Sequence, residues 1–400
     1  MAFEWWWLLI LPLLFLLGWL AGHLDKRHSQ REQEALPRAY FRALNHLLNN
    51  EFDLAADAFI EVVKLKPEMV ELHLALGNLF RQRGEPDRAL RVHQNLLDRP
   101  DLSALQREHA QYELGQDFIK AGLLDRAETC MLALQESHYA VPAKRALMQI
   151  YQSTRDYARA LEMGLSIAAQ GDASASASTP ESPRYSQLRL SHLACELLEQ
   201  AWATLSPAQR QEKITLAQQL APDSARPWLI QARQSAEQGQ WPDVLAAWKK
   251  LVQLTPQLLT LLPREWQHWQ RLPGFDAAPV QATWATQLVE WQQTYHYVEL
   301  LDLMLRHPLL QEQQAALIQA ALASKPSAAQ ILRILQAQLP GMTAAGSEAV
   351  STLLPRCIEA LAKEAQRQPQ YVCSHCGFKS VRHYWQCPGC QHWDTLASAQ

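Results

Sequence analysis

Net charge is almost absent from this chain: 37 Lys and Arg stand against 40 Asp and Glu in 400 residues, leaving −3 at neutral pH. Neutralising phosphates needs a clear basic excess on one face, which argues against a general nucleic-acid binder. Cysteine is sparse and odd in number, seven in all. Cys130, Cys195 and Cys357 stand singly in helical-looking sequence while the rest crowd near the carboxy terminus, so this is no secreted disulfide framework. The three single cysteines read as small buried hydrophobes. Charged residues reach only 19%, yet 48% of the chain is apolar, enough for a substantial core and unlike a disordered protein. At this length several structural units or a repeat array are expected.

Charge is missing altogether from Trp5 to Leu24, WWWLLILPLLFLLGWLAGHL. Twenty such residues make a helix about 30 Å long, one membrane span. Trp5, Trp6, Trp7 and Trp19 suit the interfacial aromatic belts, and Pro12 is tolerable in a bilayer helix. The short leader carries Glu4 and no basic residue, and no small-x-small site follows, so an uncleaved anchor is expected rather than a signal peptide. Lys26, Arg27, Arg31 and Arg38 follow the span with no Lys or Arg before it. The positive-inside rule then puts the amino terminus in the periplasm and the body in the cytoplasm, with a single pass.

Internal repetition governs the chain beyond the anchor. "LALGNLFRQRGEPDRALRVHQNLL" from Leu74 and "YELGQDFIKAGLLDRAETCMLAL" from Tyr112 align without a gap, matching Gly77 with Gly115, Phe80 with Phe118, Gly84 with Gly122 and Asp87 to Ala89 with Asp125 to Ala127. This is tetratricopeptide grammar: a small residue at a close helix crossing, an aromatic one turn later, a turn glycine, then a packing alanine. Ala43, Ala55, Phe59 and Pro67 mark an earlier copy, and Tyr151, Asp156 and Ala160 a later one. Such hairpins cannot bury their apolar faces alone and must stack into a superhelical solenoid.

Residues 171–183, GDASASASTPESP, read as a flexible loop. An eroded copy follows with Ala194, Leu197, Ile214, Ala217 and Pro222, and a clearer one with Trp228, Ala232, Gly239, Val244, Trp248 and Pro256. Beyond it, "QATWATQLVEWQQTYHYVELLDLMLRHP" divides into two amphipathic helices at a turn near Thr294, and degenerate repeats are expected to about Ala365. Eight of the 14 tryptophans lie between Trp202 and Trp291 and read as broad side chains filling imperfect repeat junctions rather than a partner surface.

The chain closes on YVCSHCGFKSVRHYWQCPGC, in which Cys373-x2-Cys376 and Cys387-x2-Cys390 are two hooks, each able to place two sulfurs on one metal. Gly377 and Pro388 supply turn chemistry. Four thiolates favour a closed tetrahedral zinc site, with iron as the other candidate. A closed site does not activate water, so no enzyme is expected. His375, His383 and His392 are read as solvent-facing, because Cys373, Cys376, Cys387 and Cys390 already complete the shell. So short a ribbon has little core, and metal binding should supply most of its folding free energy, on the order of 10 kcal/mol. Tyr371, Phe378, Tyr384, Trp385 and Trp393 are left to pack on one another or to dock against the last helices. Electron transfer would need iron, a redox partner and an acidic docking face, and nucleic-acid binding more basic residues than Lys379 and Arg382.

In whole-chain architecture the sequence resembles the lipopolysaccharide assembly protein B family of Gram-negative bacteria. "YVCSHCGF", "YWQCPGCQHW" and "LHLALGNLFRQRGEPDRALRVHQ" carry the resemblance; the Ser/Ala loop and the eroded, Trp-rich repeats depart from it. The resemblance implies a mainly α chain: a transmembrane anchor (1–24), a juxtamembrane linker (25–38), tetratricopeptide repeats (39–170), the loop (171–183), degenerate repeats (184–365) and a rubredoxin-like metal-binding ribbon (370–395). It further implies a non-catalytic inner-membrane adaptor that promotes proteolysis of the deacetylase committing precursors to lipid A, by bringing it to a membrane-anchored AAA+ protease. An inner-membrane protein that senses lipopolysaccharide would restrain it through the anchor. Of particular residues it carries over only Cys373, Cys376, Cys387 and Cys390, as ligands of one structural metal ion. The alternatives are a general scaffold for envelope-biogenesis enzymes and a rubredoxin-like redox protein. The ribbon is further expected to fold back onto the solenoid and lock or complete its concave surface.

Overall fold

The computed structural model describes residues 40–65, 68–169, 182–323, most of 331–338, 355–363 and 369–398. The anchor, the linker, Pro67 and nearly all of the 171–183 loop lie outside the described residues, and among these no helix is long and apolar enough to cross a membrane. The chain divides into two compact units, Met1–Ser178 and Thr179–Gln400.

Among the described residues of the first unit eight helices follow one another: α1 (40–48), α2 (Phe52–Leu65), α3 (Val70–Gln82), α4 (Pro86–Leu97), α5 (Ala104–Ala121), α6 (Leu124–Leu132), α7 (Ala140–Ser153) and α8 (Tyr157–Ala169). The helices pair in sequence order, α3 with α4, α5 with α6 and α7 with α8. Ala43, Ala55 and Phe59 are buried in one cluster with Phe80 and Ala89, as a first copy requires. Tyr151 and Ala160 are buried in the fourth, where Asp156 accepts the backbone N–H of Arg159 and so starts α8.

Gly115 lies 38 residues after Gly77 rather than one 34-residue unit. The connection from α4 to α5 absorbs the difference: Leu102 turns into a core with Val70, Leu74, Leu96 and Ala110, and Ser103 closes a capping box with Gln106. The small residue at position 77 is needed because a Cβ there would enter the imidazole of His93. That imidazole is fully buried and contacts Asp117 at 2.5 Å. Arg81 donates to Asp117 at 2.8 Å and to Glu113 at 2.6 Å, so a buried charged network ties the second copy to the third.

The second unit holds α9 (Pro183–Gln200), α10 (Pro207–Leu220), α11 (Arg226–Glu237) and α12 (Trp241–Leu254) as two further hairpins. Ser182 and Ser206 cap α9 and α10, and prolines enter the first turns, where no N–H partner is lost. The regular pattern then changes. A 3-10 helix (Pro256–Leu261) and the short α13 (Leu262–Trp269) stand where a full hairpin would fall, followed by α14 (Ala278–Tyr295), α15 (Val298–Arg306), a second 3-10 helix (Pro308–Leu310) and α16 (Gln314–Ala323). The turn placed near Thr294 falls at His296, whose backbone is left-handed at φ 55°.

Tryptophan fills these irregular junctions. Trp248, Trp269 and Trp284 are wholly buried in one core that also includes Trp241, Trp266 and Trp291. Trp266 meets Trp284 edge to face at 5.6 Å and 89°, a favoured aromatic geometry. Of the single cysteines, Cys195 is buried and its thiol pushed up to about 12 by desolvation, and Cys130 is half-buried. Cys357 departs from the expected burial: it is exposed on the 355–363 helix.

Candidate metal centre

Three short strands build the ribbon: β1 (Tyr371–Cys373), β2 (Lys379–Ser380) and β3 (Leu396–Ser398), antiparallel in the order β2-β1-β3. Tyr371 pairs with both Ser380 and Ser398, so β1 is central. Each cysteine hook turns in the same way. Gly377 N–H donates to Cys373 O at 2.9 Å, and Gln391 N–H to Cys387 O at 2.8 Å. Both turn residues are left-handed, at φ 73° for Gly377 and 60° for Gln391; glycine takes this at little cost, glutamine does not.

The hooks bring all four sulfurs within 4.8 Å of one another. Cys373 Sγ lies 3.7 Å from Cys390 Sγ, and Cys376 Sγ 3.7 Å from Cys387 Sγ. A tetrahedral ion with metal–sulfur bonds of about 2.3 Å separates its sulfurs by about 3.8 Å, so the donor set fits such an ion. Burial pushes the Cys373 thiol up, but the Thr395 hydroxyl at 3.2 Å and the backbone N–H groups of Cys376 and His375 outweigh it and hold the thiol at about 6. Burial and the neighbouring thiols push Cys390 the opposite way. One thiolate forms readily and another is resisted, a conflict that a bound cation relieves. Cys373, Cys376, Cys387 and Cys390 thus form a candidate metal site, closed once four sulfurs are engaged.

The histidines divide. His375 is exposed and stacks on His392 at 3.7 Å, whereas His383 is not solvent-facing: it sits between Tyr371 and Trp385, and burial pushes its imidazole down to about 4. The ribbon does not stand alone within this unit. His192 on α9 stacks on Trp393 at 4.8 Å, and its Nε2 lies 3.0 Å from an Asp394 carboxylate oxygen without hydrogen-bond alignment. The Tyr185 hydroxyl on α9 accepts the backbone N–H of Trp393 at 3.3 Å, and the Tyr371 hydroxyl donates to Thr260 at 3.0 Å. Arg226 at the start of α11, itself buried and bonded to Glu196 and Glu199, lies over the Trp385 ring at 5.4 Å.

Among the described residues these docking contacts fall on α9, α11 and the 3-10 helix Pro256–Leu261 rather than on the last helices. Tyr371 and Trp393 are buried, while Tyr384 stays exposed. Sequence reading missed Tyr185, His192, Arg226 and Thr260. The one available signal was polar residues on an apolar helix face, since Ser191 and His192 are both wholly buried in α9.

Fold and site define a class: a tetratricopeptide-type helical-repeat protein closed by a four-cysteine ribbon. Residues 371–398 match a family model described as a rubredoxin metal binding domain, the zinc ribbon of lipopolysaccharide assembly protein B. Curated proteins of that name are similar along nearly the whole chain. The one from Escherichia coli strain K12 is 29% identical over 97% of this chain and 96% of its own length, and the one from Haemophilus influenzae is 26% identical over 97% and 96%. In repeats and ribbon together the chain is thus similar to lipopolysaccharide assembly protein B. Among solved structures it is similar to Pseudomonas aeruginosa pilF, 16% identical with a TM-score of 0.33 over 60% of this chain and 98% of that one. The TPR protein YrrB is 15% identical, with a TM-score of 0.37 over 53% and 99%.

Proposed function

We propose that this protein is a non-catalytic adaptor at the inner membrane that regulates lipopolysaccharide biosynthesis. The observation that carries the reading is similarity to lipopolysaccharide assembly protein B through repeats and ribbon together, not through a shared module alone. Residues 5–24 anchor the chain with its amino terminus in the periplasm. The cytoplasmic repeats bring the lipid A-committing deacetylase to a membrane-anchored AAA+ protease, and an inner-membrane regulator that senses lipopolysaccharide restrains the adaptor through the anchor.

In this reading the metal is structural. Cys373, Cys376, Cys387 and Cys390 hold one ion, zinc in preference to iron, which cross-links the two hooks and supplies no chemistry to a substrate. Held by four thiolates, the ion keeps β1 and the loop from His383 to Asp394 in the shape that meets α9 and α11.

The test is the half-life of the deacetylase after protein synthesis is blocked, in cells with the protein, without it, and with a version lacking residues 2–24. Persistence of the enzyme without the protein, and weak rescue by the truncated form, are expected. An unchanged half-life in all three strains would remove the degradation role and leave a general membrane-bound scaffold.

A further inference from the structure

The four-cysteine centre does not use up the metal-binding side chains of the ribbon. A ring nitrogen of His375, a ring nitrogen of His392 and the Cys390 sulfur lie within 4.8 Å of one another, the same span that holds the four sulfurs. Both hooks contribute: His375 stands inside the first, just before Cys376, and His392 two residues past Cys390, which closes the second. The left-handed backbone of Gln391 turns the chain so that the His392 carbonyl accepts the Cys387 N–H at 2.8 Å, which keeps His392 beside its own hook.

Charge on this face is unbalanced. A divalent ion held by four thiolates carries two net negative charges. The donors that reach the sulfurs are the Thr395 hydroxyl and the backbone N–H groups of His375, Cys376, Phe378 and His392, all of them neutral. Cys390 is only half-buried, so its sulfur keeps a side open to a second cation.

The imidazoles supply neutral donors on that side. His392 Nδ1 lies 3.1 Å from the Cys390 carbonyl, which takes its hydrogen and leaves the ring's lone pair on Nε2, the arrangement usual for a ligating histidine. His375 is exposed, and among the described residues its ring meets only that of His392, flat at 3.7 Å with 20° between planes. A lone pair lies in the plane of its ring, so the stack must open for both nitrogens to face one ion, and the exposed His375 is the ring free to turn. Two nitrogens on a tetrahedral ion stand about 3.4 Å apart, close to the ring separation already present, so the change is a rotation and not a displacement of the hooks.

We infer that His375, His392 and the Cys390 sulfur hold a second divalent transition-metal ion, with Cys390 bridging it to the ion of the four-cysteine site. Imidazole with thiolate suits zinc or cobalt and disfavours magnesium and calcium, which take oxygen ligands. Three protein ligands leave a fourth position to water. The second ion ties the first hook to the turn after the second, on the side where Tyr185 of α9 meets His392 at 5.6 Å.

The inference rests on the four-cysteine ion of the structural reading and not on the adaptor role. The full-length chain in detergent micelles, loaded with zinc and freed of excess metal, is titrated with cobalt(II). Bound zinc and cobalt are counted by elemental mass spectrometry and the cobalt absorption is recorded. One cobalt should enter without releasing zinc, with the thiolate-to-cobalt charge-transfer absorption that only a bound sulfur gives. His375→Ala, at an exposed side chain, should weaken this binding at least about tenfold with zinc content unchanged, since loss of even an outer partner of a metal ligand typically costs about that much. Cobalt bound equally by the variant would mark an ion held elsewhere and overturn the inference. So would cobalt that enters only by displacing zinc, or that binds without the charge-transfer absorption. The two readings fail separately: a chain that retains no zinc sinks the four-cysteine site, whereas one tightly held zinc and no cobalt sinks the second site alone.

Discussion

The imidazole of His192 lies nearly flat on the indole of Trp393, with ring centroids 4.8 Å apart and 12° between planes. Both side chains are buried, one on a repeat helix and the other in the metal ribbon. Their overlap joins ribbon order to repeat packing within the second unit. His192→Ala should open a hole under Trp393 and cost about 2–3 kcal/mol, with earlier proteolysis of the ribbon. Urea unfolding followed by tryptophan fluorescence measures the first effect; unchanged stability would show the stack to be incidental.

Removing the metal should have a local effect first. Cys387 is wholly buried, and Cys387→Ser or a strong chelator should unfold residues 371–398 while leaving most far-UV helix signal, since the helical cores contain no metal ligand. Hydrogen exchange resolves the difference. Intact protection of β1 in the metal-free protein would sink the view that the ion holds the ribbon together.

Ribbon docking should weaken in acid in a defined window. Burial holds His383 neutral down to about 4, with Asp394, Arg226 and His192 also acting on it. An unfolded imidazole titrates near 6.5, so the unfolded state binds the extra proton between those values. The stabilisation from keeping it neutral is present above about 6.5 and is lost as pH falls toward 4, by about 2–3 kcal/mol at most. His383→Gln should flatten that part of the stability profile, leaving acid loss of thiolates common to both proteins. Superimposable profiles would count against the assignment.

In the first unit, Asp117 is the shared acceptor for His93 and Arg81. Asp117→Ala strands the buried His93 and leaves Arg81 with Glu113 as its remaining carboxylate, and should destabilise the repeats by about 2–3 kcal/mol. Gly77→Ala, which drives a methyl into the same imidazole, should cost about 1–3 kcal/mol. If the Asp117→Ala variant already carries the packing change, the two losses should add to less than their sum in a double-mutant cycle.

Trp248→Ala should cost about 3–5 kcal/mol, because the ring is wholly buried among other aromatics. A much smaller loss in chemical denaturation would mean that the tryptophans are loosely packed and free to serve a surface role.

Much of this was readable beforehand because it is local. The alignment of Gly77 with Gly115 depends on spacing along the chain, and α3 to α6 fall where that spacing puts them. The four sulfurs converge because each pair sits on one turn. Errors arose where partners are distant. Cys357 reads like Cys195 in local pattern, yet one is exposed and the other buried. His383 was assigned to solvent because nothing near it in sequence reveals the Tyr371 and Trp385 rings on either side.

The amino-acid sequence by itself determined the repeat hairpins and the cysteine hooks, since helical period, turn residues and two-residue ligand spacing act over a few positions. Tertiary structure alone decided that the ribbon sits on Tyr185, His192, Arg226 and Thr260. Those relations join residues far apart in the chain, Tyr371 to Thr260 and Trp393 to Tyr185 among them, and they exist only after the helices have packed.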